Sequence, residues 1–283
     1  MAVGTERDGQ TDPFRYRNGR VVVTGAAHGV GAALLEVLAG LDVGHVSVLD
    51  VEAPSGPHDA FLATDLSDHD SVRTALEGIQ GPVHALFNNA GVADTQPPHT
   101  VLSINYLAVR TLAEGLLGRM VEGGAVVNTA SLAGNLWRKR AQQINEVLDL
   151  SVSEGWTASL RWFESNLPTL DQTPYNFSKE LVEVYTMRSS RTTMRRGVRT
   201  NSVCPGPVDT ALLPHFRKTT SDKIIDWNIR EMNGRAVSPR EVATALAFLG
   251  SPAASYVNGV NLDIDAGFSA ALVTGQVDFS GRT

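Results

Sequence analysis

The feature that most limits the fold of this chain is a regular alternation. Short apolar, β-branched runs alternate with longer segments of helical period along almost its whole length. The runs at 20–24, 45–49, 60–64, 83–87, 125–129, 198–203 and 261–264 read as strands, most of them buried on both faces. Between them, helical patterns run through Leu34, Leu35 and Leu38 and over 71–79, 100–121, 175–196 and 239–250. Strands separated by helices cannot close as hairpins. They pair in parallel through helical crossovers, which predicts an α/β doubly wound parallel sheet flanked by helices. Its 283 residues suit one large domain of this kind, and no repeat or low-complexity tract marks a second. The expected organisation is a flexible leader over 1–18 and a single domain over 19–283.

Several function classes fall away early. A net charge of −6 argues against a nucleic-acid surface. One cysteine, Cys204, leaves no internal disulfide and no cysteine zinc cluster, and the seven histidines are scattered, so no metal is expected. There is no apolar run of about 18 residues for a membrane span. The first 18 residues are polar, with no apolar core of a signal peptide. A cytoplasmic protein is expected.

Small and polar residues gather where the strands end: Gly25, Asp50, Asp65, Asn89, Ser131 and Gly206. An open α/β sheet binds its ligand at that edge. Thr24-Gly25-x3-Gly29-x-Gly31 lies between a strand and a helix, where glycines let backbone N–H groups approach a pyrophosphate. Gly25, His28, Gly29, Val30 and Gly31 are its candidate contacts. Asp50 follows 19 positions after Gly31 and, with Val51, is placed to meet an adenosine ribose. A carboxylate there repels a 2′-phosphate, and no Lys or Arg lies between Gly25 and Asp50, so NAD is expected over NADP. A plain capping aspartate is the other reading of Asp50.

Asp65 and Leu66 are candidates for the adenine, with a helix cap as the alternative. Asn89, Ala90 and Gly91 let the backbone pass close under a flat cofactor. Pro205-Gly206-Pro207-Val208-Asp209-Thr210 breaks the sixth strand, and Pro205, Val208 and Thr210 are candidates for holding a nicotinamide carboxamide.

Tyr175 and Lys179 stand four residues apart, on one face of a helix. A neighbouring ammonium favours a phenolate and brings a phenol toward use as an acid or base. Asn105 sits mid-helix, where asparagine is intrinsically poor and so invites a reason.

These motifs, in this order, resemble the short-chain dehydrogenase/reductase family over roughly residues 20–268. The matches are Thr24-Gly-x3-Gly-x-Gly31, Asn88-Asn-Ala-Gly91, Asn105, Ser131, Tyr175-x3-Lys179 and Pro205-Gly206 with Thr210. The resemblance implies a Rossmann-type fold and hydride exchange with a nicotinamide dinucleotide. It implies that Tyr175 is the acid/base, that Ser131 binds the substrate oxygen, and that Lys179 binds the nicotinamide ribose and lowers the Tyr175 pKa. Asn105 would hold a water in a proton relay. Family members are usually dimers or tetramers, so a homo-oligomer is expected.

Ser131 and Tyr175 are 44 positions apart, more than the family usually shows. The extra segment, about 135–173, carries three of the four tryptophans, and its apolar residues recur at helical intervals. One or two amphipathic helices are expected there, either as a pocket wall or as a packing or dimer element. An insertion at this place resembles the bacterial 3α-hydroxysteroid dehydrogenase/carbonyl reductase and coniferyl-alcohol dehydrogenase subgroup. The subgroup implies a hydrophobic secondary or aromatic alcohol as substrate. A mobile substrate loop is expected at about 211–236. An NADP(H)-dependent reductase of the same fold and a non-catalytic dinucleotide sensor are the rival readings.

Overall fold

In a computed structural model, which describes residues 12–150 and 152–278, seven parallel strands form one sheet. The strands are β1 (Gly19–Thr24), β2 (Val43–Asp50), β3 (Ala60–Ala63), β4 (Val83–Asn88), β5 (Met120–Thr129), β6 (Arg199–Pro205) and β7 (Asn261–Ile264). Their order is β3-β2-β1-β4-β5-β6-β7, with every pairing parallel. The chain winds outward from β1 in one direction and from β4 in the other. The crevice between β1 and β4 is therefore the topological switch point.

Alternate residues of each strand serve two core layers. Val21 and Val23 pack with Leu34, Leu35 and Leu38 of α1 (Gly29–Ala39) and with Val242 and Leu246. Val22 packs on the opposite face, with Val72 of α2 (His69–Gly78) and with Leu112 and Leu181. Each such side chain taken fully out of water contributes roughly 1.5–3 kcal/mol.

The expected helix over 100–121 is three pieces. α3 (Pro98–Leu102) and α4 (Ala108–Leu116) are joined by a π turn over Ser103–Leu107. β5 then starts at Met120, five residues before the expected strand. Arg119 fixes this corner by donating to the Leu76 and Ile79 carbonyls, each at 2.7 Å.

The insertion forms α5 (Ala141–Asp149) and α6 (Val152–Asn166), and its apolar residues turn inward. Ile144, Val147, Leu148, Trp156 and Phe163 join the core on the α4 side of the sheet. Trp156 stacks on His69 at 4.9 Å, and Trp162 stacks on Phe177 at 5.8 Å. Arg140 pairs with Glu180 of α7 (Pro174–Met194), its Nε 2.7 Å from the Glu180 carboxylate.

The expected mobile loop carries two helices, α8 (Leu213–Thr219) and α9 (Asp222–Met232), joined by Arg217 to Asp222 and Asp226 at 3.1 and 2.8 Å. α10 (Pro239–Gly250) packs with α1 on the β1 side, and α11 (Phe268–Val273) follows β7.

The expected leader needs correction. Residues 1–11 lie outside the described residues, and of 12–18 Tyr16 alone is buried, tying this stretch to the body. Tyr16 is 5% exposed, and its hydroxyl donates to the Ala247 carbonyl at 2.7 Å. The backbone N–H groups of Tyr16 and Asn18 donate to Leu41 and Asp42, each at 2.8 Å. A buried aromatic ring with its hydroxyl paired outweighs the polar composition around it.

Candidate active site

The glycine turn is built by close backbone approach. Gly25 has φ +68°, and a Cβ there would lie 2.5 Å from the Ala90 Cα. At Gly31 a Cβ would lie 2.0 Å from the Gly25 carbonyl oxygen, an atom that cannot swing aside. The turn at Gly25 is thus wedged against the residue that follows β4. Thr24 Oγ1 holds that residue in place by accepting from the Asn89 and Ala90 N–H groups at 3.0 and 3.1 Å. Asn89 Nδ2 returns a bond to the Gly25 carbonyl at 3.0 Å. His28, the N-cap of α1, offers no side-chain cap, so the first N–H groups of the helix open toward the crevice. A pyrophosphate fits such a cradle, and Val30 follows within it.

Asp50 closes one side of the cradle. Its Oδ2 accepts from the Ala27 N–H at 2.9 Å and its Oδ1 from the Val51 N–H at 2.7 Å. The carboxylate ties the turn after β1 to the end of β2 and keeps lone pairs for a ribose. His28 Nε2 lies 3.0 Å from Glu52 Oε2, across the same mouth. Val51 is 67% exposed, an apolar face on this rim. Asp65 accepts from the Ser67 N–H and hydroxyl at 2.8 and 2.7 Å, which closes the turn after β3, while the helix cap weighed as its alternative falls to Asp68, whose side chain accepts from the Asp70 N–H at 3.1 Å. Leu66 is buried in the core at 7%, so its side chain does not form an adenine face.

The opposite wall comes from the segment after β6. Gly206 N–H donates to Ile264 at 3.1 Å, and Thr210 N–H donates to Val208 at 2.9 Å. These bonds fold the chain back after Pro205. The Thr210 methyl group would meet a Cβ on Gly29 at 3.2 Å, so the two ends of the crevice face each other.

At the middle of the edge four polar side chains converge. The Ser131 hydroxyl bears on the Tyr175 phenol and favours its ionised form. Lys179 is 4% exposed and donates to the Thr129 carbonyl at 2.8 Å, with its Nζ 5.7 Å from the Tyr175 ring centre. Asn105 is fully buried in the π turn. Its Nδ2 donates to the Val92 carbonyl and Ser178 Oγ at 3.0 and 3.1 Å, and its Oδ1 accepts from the Val92 N–H at 2.9 Å. The π turn is the reason an asparagine is accommodated there. A Cβ on Gly91 would lie 3.5 Å from Asn105 Oδ1 and 3.6 Å from Lys179 Nζ, so glycine leaves these two groups open to each other.

Burial sets the protonation here. It pushes the Tyr175 phenol up to about 12, while the Ser131 hydroxyl works the other way and Asp94 and Cys204 add to the rise. Burial pushes the Lys179 ammonium down to about 8. Burial is the leading cause of both shifts.

Sequence reasoning missed several residues here. Asp94 Oδ1 accepts from the Tyr175 N–H at 2.7 Å and fixes the start of α7. The Phe216 ring of α8 lies 4.7 Å from that of Tyr175, at 59°. Thr95 and His215 meet at 3.0 Å beside them. No local pattern marks these contacts, because crossovers bring together residues far apart in the chain.

Comparison with known proteins accounts for the arrangement. A family model described as "short chain dehydrogenase" matches residues 19–142, and one described as "Enoyl-(Acyl carrier protein) reductase" matches 152–269. The coniferyl-alcohol dehydrogenase of Pseudomonas sp. (strain HR199 / DSM 7063) is 31% identical over 261 residues, covering 92% of this chain and 100% of that protein. The crystal structure of the 3-alpha-hydroxysteroid dehydrogenase from Pseudomonas sp. B-0831 complexed with NADH has 30% identity and a TM-score of 0.74, covering 92% and 100% of the two chains. BdcA, solved in complex with NADPH, shares the fold at 23% identity and a TM-score of 0.65, covering 88% and 93%. The chain belongs to the short-chain dehydrogenase/reductase family of oxidoreductases and is similar to the coniferyl-alcohol and 3α-hydroxysteroid dehydrogenase subgroup.

Proposed function

We propose that the protein is an NAD(H)-dependent dehydrogenase that interconverts a hydrophobic secondary or aromatic alcohol and its carbonyl. The observation that supports this reading is the convergence of Ser131, Tyr175, Lys179 and Asn105 at the same sheet edge as the glycine cradle.

Each residue then has a task. Gly25, Gly29 and Gly31, with the open N-terminus of α1, receive the pyrophosphate. Asp50 accepts from the adenosine ribose, while Glu52 beside it makes the rim hostile to a 2′-phosphate. Thr210 and the Val208 backbone hold the nicotinamide end. When bound, the nicotinamide accepts or gives the hydride. Tyr175 takes the hydroxyl proton of the alcohol, and Ser131 orients that oxygen. Lys179 places a cation next to the phenol and reaches the nicotinamide ribose, and Asn105 anchors the inner end of the proton path. Phe216 supplies an aromatic face over Tyr175, which suits a flat or alicyclic substrate better than a short polar one. The names of the two relatives point to the same class.

The same reading takes the protein to be cytoplasmic and a homo-oligomer. α5 and α6 already pack on α7 and α3, so copies would meet through other surfaces. A panel containing a hydroxysteroid, a cyclic terpenol and a cinnamyl-type alcohol, each with NAD and with NADP, tests the reading by absorbance of reduced nicotinamide. Turnover with NAD on at least one of the three is expected. Preference for NADP throughout, or no turnover with any carbonyl or alcohol, contradicts it.

A further inference from the structure

One buried acid near the site has no part in that mechanism. Glu183 follows Lys179 by four residues and Tyr175 by eight, so the three side chains line one face of α7. It is 2% exposed. Its carboxyl lies flat on the turn that begins at Ser131: a Cβ on Gly134 would be 2.2 Å from Glu183 Oε1 and 2.9 Å from the Lys179 carbonyl oxygen. That turn is short and closes on itself. The Gly134 N–H donates to the Ser131 carbonyl at 2.9 Å, and the Ala133 N–H donates to Ser131 Oγ at 3.2 Å.

The surroundings of Glu183 are poor in positive charge. From β6, Cys204 offers its S–H to Oε1 at 3.7 Å. From β7 comes a second carboxyl, Asp263, itself raised by burial and by Asp265. Glu180 lies on the same helix, and the Arg138 cation opposes these acids. Burial, then Asp263, pushes Glu183 up to about 8, with Cys204 and Arg138 acting against the rise and Glu180 adding to it. The carboxyl is therefore uncharged at neutral pH, and a charge on it would draw in water or a cation. The space it fills lies directly against Gly134, so the turn must give way when that happens.

We propose that Glu183 is a positioning residue: uncharged, it supports the turn that presents Ser131 to Tyr175, and its ionisation displaces that turn. This rests on the alcohol dehydrogenase reading for its effect on rate, but not for its effect on structure. Two consequences separate the two. The first is in the wild-type protein without substrate: amide-exchange protection at Ala133 and Gly134, corrected for intrinsic base catalysis, falls as pH rises through about 8. In Glu183→Gln, which keeps shape and loses the charge, protection stays level. The second is in turnover: the ratio of kcat/KM for the alcohol in the wild type to that in Glu183→Gln, in which the Lys179 and Tyr175 titrations cancel, falls by up to roughly tenfold per pH unit above that point. Gly134→Ala, which wedges the turn off Glu183, loses protection at every pH.

Equal protection in wild type and Glu183→Gln across pH 6–10 overturns the proposal, whatever the activity. So does a wild-type to Glu183→Gln ratio of kcat/KM that stays level across the same range. Exchange that behaves as expected in a protein that turns over no alcohol upholds the positioning role and defeats the alcohol reading instead.

Discussion

Glu180→Ala gives the sharpest test of how the insertion is held. Glu180 is fully buried and its partner, the Arg140 side chain, is 10% exposed, joined by two hydrogen bonds. An exposed ion pair is worth little, about 0–1 kcal/mol. This pair is not exposed, and cutting it leaves a guanidinium in a dry site, which costs about 3–5 kcal/mol. At roughly 2–4 °C per kcal/mol for a domain of this size, the melting temperature falls by on the order of 10 °C. Denaturant unfolding of the wild type, Glu180→Ala, Arg140→Met and the double variant measures the effect. The double variant should recover most of the loss, since it removes both charges. If Glu180→Ala unfolds within about 1 kcal/mol of the wild type, the pair is solvated in solution and the reasoning about the anchored insertion fails.

Two further outcomes concern the cradle. Gly31→Ala should abolish dinucleotide binding in a folded protein, because its Cβ would sit 2.0 Å from the Gly25 carbonyl oxygen; titration of NADH fluorescence with unchanged affinity would refute this. Asp50→Ala removes an acceptor of hydrogen bonds to a charged group, each about 1.5–3 kcal/mol. The ratio of kcat/KM for NAD over NADP should drop by roughly tenfold or more, and an unchanged ratio would remove Asp50 from the choice of cofactor.

The sheet is legible in the sequence because its causes are local. A run such as Val21-Val22-Val23 can be buried on both faces only between two helical layers, and the structure divides those three residues between the two layers. The crossovers then leave few strand orders. The positions of Gly25, Asp50, Ser131 and Thr210 follow from the strand ends that carry them. Tyr16 was obscured by polar neighbours, because one ring and one hydroxyl bond decide its place. The π turn around Asn105 has no signature beyond an asparagine in the wrong setting. Phe216 over Tyr175 and Glu183 under Gly134 depend on segments brought together only by the completed sheet. The protonation of Tyr175 also escaped, since the distance to Lys179 is a matter of spacing whereas burial is a matter of packing.

The central claim is that Tyr175 exchanges the proton while hydride passes to NAD. It is tested most directly by Tyr175→Phe, which keeps the ring packed on Phe216 and deletes only the hydroxyl. With the best alcohol of the panel, NADH formation should fall by roughly 10²–10⁴-fold, while the dissociation constant for NADH stays within a few-fold of the wild type. Turnover that survives in Tyr175→Phe would contradict the claim.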